Sequence, residues 1–424
     1  MEEDRCDERL VNELKLTDIN VDCLEHIFMH STVDDFVNIA HTNTQLKPAA
    51  DLAFARKFGK KKFYFRVESL YPDDLSLTGE EWIIVHDLQT SLRLLRCYGH
   101  LILRLHIDYQ KQLRPAPIKV LRYVNKFCYE SLVEISFHGI FKFAFESAMK
   151  KPFSNVQKAS FTGCHLGTRM TRFNDWYPAL RRLDLIHNRF DDAPSIAEHI
   201  PNLEHLTFVG GGKISATDIL AVVRVNPQML SLSLNRVYSA RFFRVPSETL
   251  PQLESLELRG YPDDFATFNG DVVNFRTVKK LEIIFKSYGG ITQWVSTIKL
   301  SFNRLEEITM DLDIYSWVDE LTDFLKRHQS IRIVNLRWSN ENTDAVSDYT
   351  LSEIAQALPL LVELNFFGPG CPIDSTIRLL NNLKLMSYGF SVIDRLEFDY
   401  VKTKLGNKWE ASIDGRRVQV LRAN

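Results

Sequence analysis

Four groupings in the chain have the residue types that chemistry uses. Gly210-Gly211-Gly212-Lys213 has the composition of a phosphate loop, in which backbone amides cradle a phosphate and the lysine neutralises it. The motif GxxxxGK needs a glycine where Thr207 stands, so a flexible repeat turn is the better reading. Asp311 and Asp313 are two hard oxygen donors at a strand end, but no third ligand accompanies them, and they read as solvated carboxylates. His26, His187, His199 and His205 keep no recurring spacing to Ser, Cys or Asp from which a nucleophilic triad is built. Cys6, Cys23, Cys97, Cys128, Cys164 and Cys371 form no CxxC pair and read as scattered reduced thiols. The chain is therefore expected not to be an enzyme, with no catalytic residue, metal site or cofactor.

The elements carrying these groups follow one recurring stretch, clearest at Leu180-Arg181-Arg182-Leu183-Asp184-Leu185, apolar at its first, fourth and sixth positions. It returns at Leu203/Leu206/Phe208, Met229/Leu232/Leu234, Leu253/Leu256/Leu258, Val278/Leu281/Ile283, Leu305/Ile308/Met310, Ile331/Val334/Leu336, Leu361/Leu364/Phe366 and Leu383/Met386/Tyr388. Upstream it stands at Ile102/Leu105/Ile107, Leu132/Ile135/Phe137 and Val156/Ala159/Phe161, and successive starts lie 22 to 30 residues apart. With 45% of the chain hydrophobic a single match means little, but a dozen near one period are hard to obtain by chance. The period and pattern resemble a leucine-rich repeat.

The last three positions of each unit alternate as a strand does, and the stretches between are helical in pattern. Ser215-Ala216-Thr217-Asp218 is a capping segment before Ile219, Leu220, Val222 and Val223, and Leu321, Phe324 and Leu325 mark a second helix. Pro178, Pro201, Pro227, Pro251 and Pro359 precede the first apolar position by two residues, punctuating helix into strand. Strands about 4.8 Å apart facing helices about 10 Å apart predict a horseshoe with a parallel concave sheet and convex helices, an α/β solenoid over 101–390. Asn188 alone has the position of the usual repeat asparagine in most of the array.

Charge and composition exclude some functions. Fifty-two basic and 54 acidic side chains leave a formal charge of −2, so no field favours nucleic acid or an anionic membrane. No apolar run has the length of a membrane span. The acidic start Met1-Glu2-Glu3-Asp4-Arg5 has no apolar stretch behind it, and no N-x-S/T acceptor occurs, which places the chain in the cytoplasm and/or nucleus.

Ahead of the array, residues 1–13 are charged, and 14–58 read as three short helices. Asp18 or Asn20 caps the first, with Leu24, Ile27 and Phe28 on one face; the second runs over about 34–41 with Phe36 and Val37; the third begins near Pro48. So small a module needs support from the next segment of the chain or from a partner. Leu16, Leu24, Ile27, Phe28, Asp35, Phe36 and Ala40 fall on the positions of an F-box, which this segment resembles, with Thr17-Asp18-Ile19-Asn20 in place of the usual Leu-Pro. Residues 59–100 are expected to be an irregular cap with strands at Phe63–Val67 and Trp82–Val85, then a helix ending in a left-handed cap at Gly99. At 391–424, Trp409–Val420 reads as a hairpin turning at Asp414-Gly415 and closing the last layer.

An F-box before leucine-rich repeats implies a substrate receptor of a Skp–cullin–F-box ubiquitin ligase. In that resemblance Leu16, Leu24, Ile27, Phe28 and Phe36 bind the Skp adaptor, and through it a cullin, while the repeats hold a target protein. The alternating residues of the strands line the concave face; among them Arg259, Arg337 and Phe367 are the expected anchors, with Glu257 and Glu307 beside them. A free-standing repeat scaffold or inhibitor is the alternative.

Overall fold

Asn20 opens the first helix. Its Oδ1 accepts from the Asp22 amide over 3.1 Å and caps α1 (Val21–Phe28). Thr32 and Asp35 form a reciprocal capping box before α2 (Val33–Thr42), the Thr32 amide donating to Asp35 Oδ2 over 2.8 Å. Pro48 sits in the first turn of α3 (Lys47–Phe58), where a missing amide costs nothing. The computed structural model describes residues 16–66, 82–109, 116–167, 172–190, 200–212, 215–235, 240–260, 272–285, 300–312, 318–338, 353–354, 356–367, 387–391, 395–405, 409–414 and 417–422.

The chain divides into two compact units. The first holds residues up to Ala159 with Gly163–His165 and Asp175–Ala179, and the second holds the remainder. In the first, Phe36 meets Phe54 and Phe58 edge-on at 5.6 and 5.7 Å, and Phe54 stacks on Tyr98 at 4.3 Å. Tyr98 ends α4 (Leu88–Tyr98), so the three short helices share an aromatic core with the segment behind them, the support their size demanded.

Gly99 departs from expectation. Its φ is −53°, in the right-handed region, and the chain continues into a short turn of 3-10 helix at Gly99–Leu101. A Cβ there would lie 2.9 Å from both Cys128 Sγ and Phe127 Cβ. Glycine is needed for close packing against the next helix rather than for a left-handed cap.

Strands β1 (Lys62–Arg66), β2 (Trp82–Val85), β3 (Arg104–Asp108) and β4 (Glu134–His138) form a parallel sheet in the order β2-β1-β3-β4. Phe63 and Phe65 stand opposite Leu105 and Ile107, and these opposite Ile135 and Phe137. The region expected as an irregular cap thus carries the repeat's own alternation. Helices α5 (Ala116–Phe127) and α6 (Lys142–Ala148) lie between the later strands in the chain, followed by β5 (Lys158–Thr162), β6 (His165–Leu166) and α7 (Phe173–Trp176).

In the second unit, β7 (Arg182–Phe190), β8 (His205–Gly212), β9 (Ser231–Asn235), β10 (Ser255–Gly260), β12 (Lys280–Phe285), β14 (Glu307–Leu312), β15 (Ile333–Trp338), β16 (Glu363–Phe367) and β17 (Ser387–Ser391) pair in parallel in that order. β11 (Val273–Phe275) pairs with β13 (Leu300–Phe302) as a separate two-stranded ribbon. The fourth apolar positions fall in one register column, Leu183–Leu206–Leu232–Leu256–Leu281–Ile308–Val334–Leu364. All eight are buried, as are the first positions from Leu180 to Leu361. Ser215 and Asp218 make the expected capping box for α8 (Ala216–Val225); α9 (Ala240–Thr249) and α10 (Val318–Arg327) come next, the latter burying Leu321, Phe324 and Leu325.

Buried polar side chains tie one repeat to the next. Asn226 Oδ1 accepts from the Leu203 amide over 2.7 Å, while its Nδ2 donates to the Ile200 and Val222 carbonyls. Asn188 Nδ2 donates to the Phe161 carbonyl over 2.8 Å. After α11 (Arg395–Leu405), β18 (Trp409–Asp414) and β19 (Arg417–Arg422) form the expected hairpin, and β19 adds antiparallel to β17. Asp414 faces Arg417; Gly415, part of the expected turn, lies outside the described residues.

Candidate interaction surfaces

Five apolar residues of the N-terminal helices were expected to meet an adaptor, and the structure separates them. Leu24 and Phe28 are 3% exposed and Phe36 is 0% exposed. These three are core: a helix face turned inward toward α3 and α4 has no apolar surface left to offer. Leu16 at 46% and Ile27 at 48% are exposed, and they are joined by Val21 at 43% and Leu52 at 52%, two residues that the helical spacing did not single out. All four are exposed apolar side chains of the same small helical module.

On the second unit's sheet the residues alternating with the buried columns face outward. Glu257 stands directly opposite Glu282, an unfavourable like-charge pair in itself. Arg259 Nε donates to Glu257, and Arg337 Nη1 reaches Glu282 Oε1 over 3.5 Å from two strands away. Burial first, and then the Glu257 charge, push the Glu282 carboxyl above its ordinary range. Glu307 pairs with Lys280 over 2.7 Å. Phe367 lies on β16 in register with Arg337. Four of the five expected target residues thus fall within one network on adjacent strands, Glu257 and Arg259 on β10, Glu307 on β14 and Arg337 on β15. Beside it, Asn365 Nδ2 donates to Asn335 Oδ1 over 2.7 Å, and Asn335 Nδ2 to Thr309 Oγ1 over 3.1 Å.

The groupings that resembled chemistry fare differently. Gly210, Gly211 and Gly212 belong to β8, Gly211 and Gly212 pairing with Asn188 and Arg189, so they extend a strand and form neither a phosphate loop nor a turn. Asp311 is a strand residue, while Asp313 and His199 lie outside the described residues. Cys97, Cys128 and Cys164 are buried and Cys23 is exposed. Among the described residues no group of three or more His, Cys, Asp and Glu is placed to hold a metal ion, and no helix is long and apolar enough to cross a membrane.

The first unit carries a network that sequence reasoning missed. Tyr64 Oη donates to Asp108 Oδ2 over 2.5 Å, and His138 Nδ1 lies 2.9 Å from Asp108 Oδ1. Burial pushes the Asp108 carboxyl up, but the hydrogen bonds from His138 and Tyr64 and the His138 charge outweigh it and hold it below its usual range. The same hydrogen bond raises His138, against burial. His106, stacked on Tyr64 at 4.8 Å, is lowered to about 4 by burial, which outweighs the Asp108 charge. His106, Asp108 and His138 were each legible as outward strand positions; Tyr64 was not, because β1 has no earlier unit from which to read its register.

The decisive observation is the column register of the second unit, in which the fourth and sixth apolar positions of one repeat meet their counterparts in the next. The fold is a leucine-rich-repeat solenoid. No family model matches the chain, and no curated protein matches it. Solved structures similar to it include one of the yeast Rad7 and Elc1 complex, at 14% identity over 82% of this chain and 88% of that one, with a TM-score of 0.36. Another is TLR13 in complex with ssRNA13, at 14% identity over 66% of this chain, TM-score 0.33; the chain spans 45% of that protein's length. A third is a leucine-rich-repeat protein of Leptospira interrogans, at 11% identity over 81% of this chain and 92% of that one, TM-score 0.30.

Proposed function

We propose that this chain is the substrate-recognition subunit of a Skp–cullin–F-box ubiquitin ligase. The N-terminal helices grip the Skp adaptor, and the repeats hold a target protein beside the ubiquitin-conjugating enzyme. The chain transfers nothing itself. It raises the effective concentration of a target lysine near a thioester carried by another subunit. The observation that carries this reading is the exposed set Leu16, Val21, Ile27 and Leu52 on a three-helix module directly ahead of the repeats in sequence. Leu24, Phe28 and Phe36 support that surface from beneath. Arg259, Arg337 and Phe367, with Glu257 and Glu307, are the proposed target contacts.

The burial of Leu24, Phe28 and Phe36 favours a second reading, a free-standing scaffold whose helices only cap the stack. Co-purification decides between them. The ligase reading expects the chain to bring down the Skp adaptor and to lose it on Leu16→Asp plus Ile27→Asp with the fold intact. A chain that never brings down the adaptor is the scaffold.

A further inference from the structure

The sheet face of the first unit holds a charge imbalance around one carboxylate. Lys62 Nζ lies 2.7 Å and Lys158 Nζ 3.0 Å from the same atom, Glu134 Oε1. Arg104 stands opposite Glu134 across the β3–β4 pair, and among the described residues its Nη1 reaches only the Lys60 carbonyl, at 3.5 Å. Two ammonium groups therefore share one carboxylate oxygen, and Arg104 stands across the strand pair from it. Each ammonium has three donors, and a single carboxylate oxygen does not satisfy two of them. Beside the cations stands an aromatic ridge. Trp82 meets Tyr64 and His106 edge-on at 5.9 and 6.2 Å, Lys62 Nζ lies 5.0 Å from the Trp82 ring centre, and Ile84, opposite Tyr64, is 42% exposed.

This surface is held in place before any partner arrives. Asp108 fixes the Tyr64 hydroxyl, His138 fixes Asp108, and the Tyr64 and His106 rings lie within 7° of parallel. A locked surface loses little side-chain freedom on binding, which is where affinity is most often forfeited. We propose that the face formed by Lys62, Arg104, Lys158, Trp82 and Ile84 docks an acidic segment of a partner protein, its carboxylates meeting the cations and one apolar side chain resting on Trp82 and Ile84.

Charge complementarity selects this occupant. Surplus donors call for carboxylate acceptors, and the indole edge beside them calls for an apolar contact. Glu134 and Asp108, set among the cations, interrupt the continuous phosphate contact on which nucleic-acid affinity rests. On the second unit's face, Glu257, Glu282 and Glu307 already engage Arg259, Arg337 and Lys280, so no comparable cationic surplus gathers there among the described residues. The site is independent of whether the N-terminal helices hold an adaptor.

The test uses the full chain and a short fluorescein-labelled peptide of Asp and Glu with one central Phe, read by anisotropy. A Lys-for-acid version of the peptide and a uridine oligonucleotide serve as competitors. The acidic peptide is expected to bind at least about tenfold tighter than either, to weaken as salt rises, and to lose about tenfold on Arg104→Ala plus Lys158→Ala. That pair leaves Lys62 on Glu134 and so spares the fold, which circular dichroism checks; Trp82→Phe is expected to keep most of the affinity. Equal affinity for both peptides, tighter binding of the oligonucleotide, or unchanged affinity in the folded double variant overturns the proposal.

Discussion

Tyr98 Oη donates to the Phe36 carbonyl over 2.9 Å while its ring lies 4.3 Å from Phe54, so one side chain of α4 closes the core under the first three helices. Tyr98→Phe is expected to cost about 1 kcal/mol, the net value of one hydrogen bond, and Tyr98→Ala about 3–5 kcal/mol by adding a cavity. Hydrogen exchange of the α1–α3 amides measures both, because it follows this core separately from the second unit. Equal losses in the two variants would mean that the ring contributes nothing.

Gly99→Ala adds one methyl where Cys128 Sγ and Phe127 Cβ already stand at 2.9 Å. Both neighbours are held by α5 and the turn after it, so the clash is expected to cost about 1–3 kcal/mol, read as a lower thermal midpoint. Were Gly99 a left-handed cap, the cost would come from φ instead, and Gly99→Asn would be tolerated better than Gly99→Ala. Here the reverse order is expected, since asparagine is larger.

The array and its helix punctuation were legible because the pattern constrains itself: Leu183, Leu206 and Leu232 must share a column once their spacing repeats. Caps such as Ser215–Asp218 were legible because they act over three residues. The core at Leu24, Phe28 and Phe36 was not distinguishable from a docking face, since an apolar helix stripe has the same spacing whether it meets a partner or its own chain. The Tyr64–Asp108–His138 network was hidden for another reason. Tyr64 lies 44 residues before Asp108, and only the parallel pairing of β1 with β3 brings them together.

His328 gives the second unit a pH dependence of definite sign. Its Nε2 accepts from the Phe302 amide over 3.2 Å, so the ring must be unprotonated there, and burial lowers its pKa from the ordinary 6.5. The unfolded chain then binds more protons than the folded one as pH falls below about 6.5. Stability is present above that pH and is lost progressively toward the lower folded value. The urea midpoint of the second unit is expected to fall between pH 7 and pH 5, and His328→Gln to flatten that part of the profile. An unchanged slope in the variant would assign the pH dependence to other groups.

Adaptor binding is tested most directly by titrating the purified chain with purified Skp adaptor in a calorimeter. Saturable one-to-one binding at about micromolar affinity or tighter is expected. Leu16→Asp plus Ile27→Asp should abolish it without altering the circular dichroism, because both side chains are exposed, at 46% and 48%. Absence of binding at concentrations well above micromolar, or undiminished binding by the double variant, would contradict it.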